Sequence, residues 1–134
     1  MDRRSVEIFR PPNLSLVCTV HVHKKLINSI SWHPYMTSKS PVKSPYKHWI
    51  ATGSNESYIH IVDLSNILGK LLATDSEQNT EPVVVTASKR GLDGHFGRIT
   101  GVMWSPHIDG QLASVSYDGQ ARVCLMITLM FWFK

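Results

Sequence analysis

His95, Ser114 and Asp118 are the three residue types of a nucleophilic relay, in which an imidazole takes a hydroxyl proton and a carboxylate orients the imidazole. The same trio can serve a second purpose. A buried imidazole needs both ring nitrogens paired, and a hydroxyl with a carboxylate provides the two partners. Arg98 and Tyr117 supply a different chemistry, positive charge for a phosphate and a π-face for an unpaired base. An ordinary surface pair serving a protein partner is the other reading of those two. His21, His23 and His33 raise the question of a metal, but no cysteine or carboxylate cluster accompanies them, so no metal site is expected. Ser40 and Ser44 each open a Ser-Pro-x-Lys phrase. Proline holds such a segment extended and exposed, which suits a proline-directed kinase; a plain basic loop fits as well.

These residues are carried by a chain of 134 residues, the size of one ordinary domain. Hydrophobic residues make up 43% and charged residues 18%, which is enough core and too little charge for a disordered polyelectrolyte. A net charge of +4 favours anionic partners without demanding them. Cys18 and Cys124 lie far apart without zinc-like spacing and read as reduced thiols. No signal peptide follows Met1, and the apolar run from Cys124 to Phe133 is too short to span a bilayer. No cofactor, membrane or small-molecule substrate is expected.

Alternating or β-branched runs fall at residues 6–9, 15–20, 26–32, 49–54, 58–64, 83–87, 99–104, 111–116 and 120–125. Gly, Pro, Asn and Asp bound them, as in an antiparallel meander. Only residues 64–74 could pass for a helix, short and holding Gly69. Two stretches repeat each other: His23 to Trp32 followed by Pro34, and His95 to Trp104 followed by Pro106. Each is trailed by a second shared phrase, Ile50-Ala51-Thr52-Gly53-Ser54 and Leu112-Ala113-Ser114-Val115-Ser116. An internal repeat makes the fold a stack of units.

Gly94-His95, the strand ending in Trp104-Ser105-Pro106, and Tyr117-Asp118-Gly119 resemble a WD40 repeat of a β-propeller. The first unit departs from the pattern, with Val22 for the Gly, Glu56 at the turn Asp, and Val62-Asp63 for Trp-Asp. The wording of both units resembles the second propeller of the gemin-five family, RNA-binding WD-repeat subunits of the survival-of-motor-neuron (SMN) complex. The resemblance implies an all-β propeller fragment of about two four-stranded blades with the ring not closed. It makes His95, Ser114 and Asp118 a structural hydrogen-bond network, with His23 and Thr52 matching in the first unit and the place of Glu56 in doubt. It brings Arg98 and Tyr117 to one rim as RNA-binding residues. It implies a non-enzymatic module recognising small nuclear RNA near the Sm site, with SMN-complex partners, in cytoplasm and nucleus. A peptide-binding WD40 scaffold is the alternative. Lys24-Lys25 and Lys89-Arg90 would extend a basic rim around the site.

The expected organisation is residues 1–14 as the end of a preceding blade or linker, then WD40 repeats over 15–123, then an atypical apolar tail over 124–134. The repeats divide into a first unit at 15–66, an insert at 67–82 and a second unit at 83–123. Residues 15–20 would be the outer strand of a preceding blade, 26–87 a complete blade, and 99–125 three strands of the next. Such a count does not close a ring. The chain is therefore expected to be a fragment, a truncated gene model or a splice product, and to be insoluble or oligomeric alone.

Overall fold

The computed structural model describes residues 2–34, 44–73, 81–126 and 131–133. Three antiparallel-rich sheets stand side by side. The first joins β1 (Val6–Arg10), β2 (Ser15–Val20) and β6 (Val83–Val85) in the order β1-β2-β6. The second is a four-stranded blade of β3 (Ile27–Trp32), β4 (Trp49–Ser54), β5 (Ile59–Asp63) and β7 (Arg90–Leu92). The third is a four-stranded blade of β8 (Ile99–Trp104), β9 (Gln111–Ser116), β10 (Ala121–Leu125) and β11 (Phe131–Phe133). One helix, α1 (Ser65–Ala73), follows β5.

Two features differ from expectation, and the one stretch that could pass for a helix forms one. The outer strand of the first blade is β7; residues Val83–Val85 instead run parallel to β2, pairing Cys18 with Val83 and Val20 with Val85. Arg90–Leu92 takes the blade edge because Leu92 buries itself in the inter-blade core while Val83 and Val84 remain exposed. Residues 65–73 are helical. Asp63 Oδ1 accepts the Ser65 N–H at 2.9 Å, satisfying a donor that the first turn leaves unpaired. Ile67 and Leu68 then pack on the cluster of Val62 and Leu64. Finally, Phe131–Phe133 completes the second blade as a fourth strand, with Val123 opposite Phe133 and Leu125 opposite Phe131.

Packing between layers explains why β4 reads Trp-Ile-Ala-Thr-Gly-Ser without clean polar alternation: it is buried on both faces. Toward the second blade, Trp49, Ala51, Ile59, Ile61 and Leu92 meet Ile99, Trp104, Leu112 and Cys124. Toward the first sheet, Ile50, Val62 and Leu64 meet Cys18 and Val20. Each fully buried aliphatic side chain here contributes about 1.5–3 kcal/mol. The inner strands β3 and β8 are not paired in one sheet, yet serine side chains stitch them together. Ser29 Oγ accepts from the Val102 N–H at 3.0 Å and Ser31 Oγ from the Trp104 N–H at 3.1 Å. The Trp104 indole N–H adds a bond to the Ser31 carbonyl at 3.2 Å.

Strand directions give each blade two rims. The upper rim gathers the segments entering β3 and β8 with the β4–β5 and β9–β10 turns. Gly119, at φ +80°, makes the last of these turns tight. The lower rim gathers Tyr46, Trp49, Asp63, Lys89 and Asp109.

Candidate functional site

Beneath the upper rim of the second blade, His95 Nδ1 lies 2.9 Å from Asp118 Oδ2 and Nε2 lies 2.8 Å from Ser114 Oγ. The order carboxylate–imidazole–hydroxyl is that of a nucleophilic relay. Access is not: Ser114 is 2% exposed, so no substrate carbonyl reaches its oxygen. The arrangement instead holds two loops together. The Phe96 N–H donates to Asp118 Oδ2 at 3.0 Å, and the Gln120 N–H to Asp118 Oδ1 at 2.8 Å. Burial alone would raise the Asp118 carboxyl. The two backbone N–H groups and the His95 ring outweigh it and hold the group well below the usual carboxylate range.

The first blade repeats the array with a glutamate. His23 Nδ1 lies 2.8 Å from Glu56 Oε2 and Nε2 lies 2.8 Å from Thr52 Oγ1. The Lys24 N–H reaches the same Glu56 oxygen at 3.3 Å, as Phe96 does to Asp118. Ser54 Oγ donates to it at 3.0 Å. Burial works to raise the Glu56 carboxyl too, and the His23, Ser54 and Lys24 contacts together lower it. The longer side chain therefore fills the place that the sequence pattern leaves in doubt.

The three histidines His21, His23 and His33 are not brought together. His21 Nδ1 lies 3.8 Å from Asp2 Oδ2, His23 is in the relay, and His33 is at the lower rim with Nε2 2.9 Å from Asp109 Oδ1. Among the described residues one other group has metal-ligand types in reach: His23, Glu56 and His60 offer atoms within 4.8 Å of one another. His23 spends both nitrogens, and Glu56 Oε2 already accepts several donors. Only the buried Nδ1 of His60 lacks a partner, and a single free ligand does not make a metal site.

Ser40 lies outside the described residues. Ser44 Oγ donates to Asp109 Oδ1 at 2.8 Å and accepts from the Tyr46 N–H at 3.1 Å. A phosphoryl group on that oxygen would face the Asp109 carboxylate, which opposes its addition in the folded state.

On the upper rim itself, Arg98 and Tyr117 are neighbours. The Tyr117 N–H donates to the Arg98 carbonyl at 3.0 Å, and the Arg98 guanidinium carbon lies 3.9 Å from the Tyr117 ring centroid. Tyr117 remains 71% exposed. The combination presents a cation already stacked on one aromatic face, with the rest of the ring open to solvent. Lys24 and Lys25 are exposed on the adjacent loop of the first blade. Lys89 is elsewhere: its Nζ lies 3.5 Å from Asp63 Oδ2 and 5.5 Å from the Trp49 ring centroid, at the lower rim. Antiparallel pairing of β7 with β5 puts it there, and it takes no part in a basic upper rim. Phe96, an apolar residue between the Gly-His and Gly-Arg pairs, lies on the same loop as Arg98 and is exposed.

Residues 86–124 match the family model of the WD domain, G-beta repeat. The solved β-propeller domain of Cps50 (Swd1) from Myceliophteria thermophila superposes on 96% of the chain with a TM-score of 0.64 and 13% identity, using 32% of that protein. The WD40 domain of Toxoplasma gondii coronin does so over 89% of the chain, with a TM-score of 0.65, 19% identity and 26% of its own length. The fold is a WD40 β-propeller segment. Its ring is unclosed, and two blades with part of a third account for the described residues. Among curated proteins, human Gem-associated protein 5 is 42% identical over 120 residues. That match takes in 89% of this chain, whereas the chain spans 7% of the length of the relative. The propeller segment is thus similar to a short stretch of that relative. No helix among the described residues is long and apolar enough to cross a membrane.

Proposed function

We propose that this WD40 segment is a non-enzymatic RNA-binding module, part of a gemin-five-like protein that recognises small nuclear RNA near its Sm site during Sm-core assembly with SMN-complex partners. The setting for that work is the cytoplasm and nucleus. The observation that carries the reading is the Arg98–Tyr117 stack on the upper rim. A guanidinium offers a phosphate two hydrogen bonds and an aromatic plane offers a base its stacking surface, so one pair addresses both halves of an unpaired nucleotide. The similarity to human Gem-associated protein 5 supports the same reading, as does the positive net charge. A catalytic role is opposed by the burial of Ser114 beneath the relay.

Fluorescence anisotropy with an Sm-site RNA at fixed ionic strength tests it. Tyr117→Ala is expected to weaken binding by roughly five- to a hundredfold, the worth of about 1–3 kcal/mol of base stacking. Arg98→Glu should weaken it further and flatten the dependence on salt, because a phosphate contact is lost. Unchanged affinity in both variants would instead favour a propeller rim that binds peptides.

A further inference from the structure

Phe96 is 89% exposed, the most exposed of the large apolar side chains among the described residues. Scattered surface hydrophobics are common, so exposure by itself decides nothing. The mounting of this one is more telling. The Phe96 N–H is held by Asp118 Oδ2 at 3.0 Å, and Ser116 Oγ reaches the Gly97 and Arg98 carbonyls, both at 3.0 Å. Gly97 approaches so closely that a Cβ there would lie 3.0 Å from the Asp118 nitrogen. Phe96 and Tyr117 therefore stand on one hydrogen-bonded unit, one on each of the two segments that Asp118 joins.

The first blade shows what this unit requires. There Lys24 occupies the position of Phe96 and donates its N–H to Glu56 in the same way. Only the backbone at this position serves the fold, so a lysine does as well as a phenylalanine. The fold gives no reason for an aromatic side chain exposed to water on the loop that carries Arg98. Single-stranded nucleic acid does, because successive unstacked bases need successive aromatic planes.

We infer that Phe96 is a second stacking platform, so that the rim of the second blade holds two unpaired bases of one RNA strand. The inference rests on the RNA-binding reading above and adds a contact to it. Anisotropy titrations of the 134-residue chain with a fluorescein-labelled Sm-site RNA, at fixed salt, compare the parent with Phe96→Ala, Phe96→Trp and Tyr117→Ala. Phe96→Ala is expected to weaken binding by roughly five- to a hundredfold with an unaltered thermal melt, and Phe96→Trp to keep parental affinity. Replacing single nucleotides by abasic ones should reveal a position that matters to the parent and no longer matters to Phe96→Ala. In Phe96→Trp, RNA should also quench the added indole fluorescence, a readout that does not depend on the alanine variant folding. Parental affinity in Phe96→Ala, or no quenching in Phe96→Trp, with Tyr117→Ala still impaired, would overturn the second platform and leave the RNA reading standing. Parental affinity in all three variants would overturn both.

Discussion

Asp118 and Glu56 occupy matching turns and differ by one methylene, yet each collects an imidazole and a backbone N–H from the loop ahead of its blade. The shared requirement is a carboxylate that ties the loop to the turn, and chain length is adjusted by the neighbours: Ser54 hydrogen-bonds Glu56, whereas Ser116 turns to the Gly97 and Arg98 carbonyls. Removing the hydroxyl at the far end of either relay leaves a buried imidazole nitrogen unpaired. Ser114→Ala and Thr52→Ala are each expected to lower stability by about 1–3 kcal/mol in urea unfolding. Two other histidines set the pH response. Burial holds His33 below the ordinary histidine value against the pull of Asp109, and burial with the nearby His23 charge does the same for His60. The unfolded chain then binds their protons first as pH falls. Stability from these groups is present above about pH 6.5 and is lost as pH drops below it. Urea midpoints at pH 7.5 and 5.5 should show this, and His33→Gln with His60→Gln should flatten the difference; an unchanged slope would contradict the assignment.

At the scale of elements, the seam between the blades depends on a close approach at Gly53. A Cβ there would run into Ile99 Cγ2, well inside van der Waals contact, with Val102 also near. Gly53→Ala should therefore cost about 1–3 kcal/mol through overpacking, and Ile99→Val in the same chain should recover part of it. Thermal or urea unfolding of the single and double variants measures both. The long strands at this seam were legible from sequence because period-two alternation and the repeated His-to-Trp phrase mark them directly. The outer strands were less so. β7 and β11 have three residues each, too few to show a period, and β7 wins its place through one buried leucine rather than through pattern. Helix α1 owes its start to Asp63 and its packing to Ile67 and Leu68 against the first sheet. Local sequence left it ambiguous because Gly69 weakens the helical signal. The candidate site divided the same way. Arg98 and Tyr117 stood out by residue type and repeat position, whereas Glu56 as a working relay member and Phe96 as a presented ring needed the hydrogen-bond geometry.

Across the whole molecule, Met103 and Val115 are exposed on the second blade at one end of the stack, and Phe9, Leu26 and Ile30 line an open cleft between the first sheet and the first blade. Propeller blades bury such faces against their neighbours, so the isolated 134-residue chain should self-associate as its concentration rises. Sedimentation velocity across a concentration series reads this, and a concentration-independent monomer would contradict it. The upper rim is independent of those apolar surfaces, since Phe96, Arg98 and Tyr117 rise from one turn and one loop fixed by Asp118. The proposed recognition of RNA runs through that rim. Its most direct test is photocrosslinking of a 4-thiouridine-substituted Sm-site RNA to the chain, followed by mass-spectrometric mapping of the attached peptide. Crosslinks are expected on the segments holding Phe96, Arg98 and Tyr117, and Tyr117→Ala should reduce them. An absence of crosslinks, or crosslinks confined to the lower rim around Asp63 and Lys89, would contradict the account.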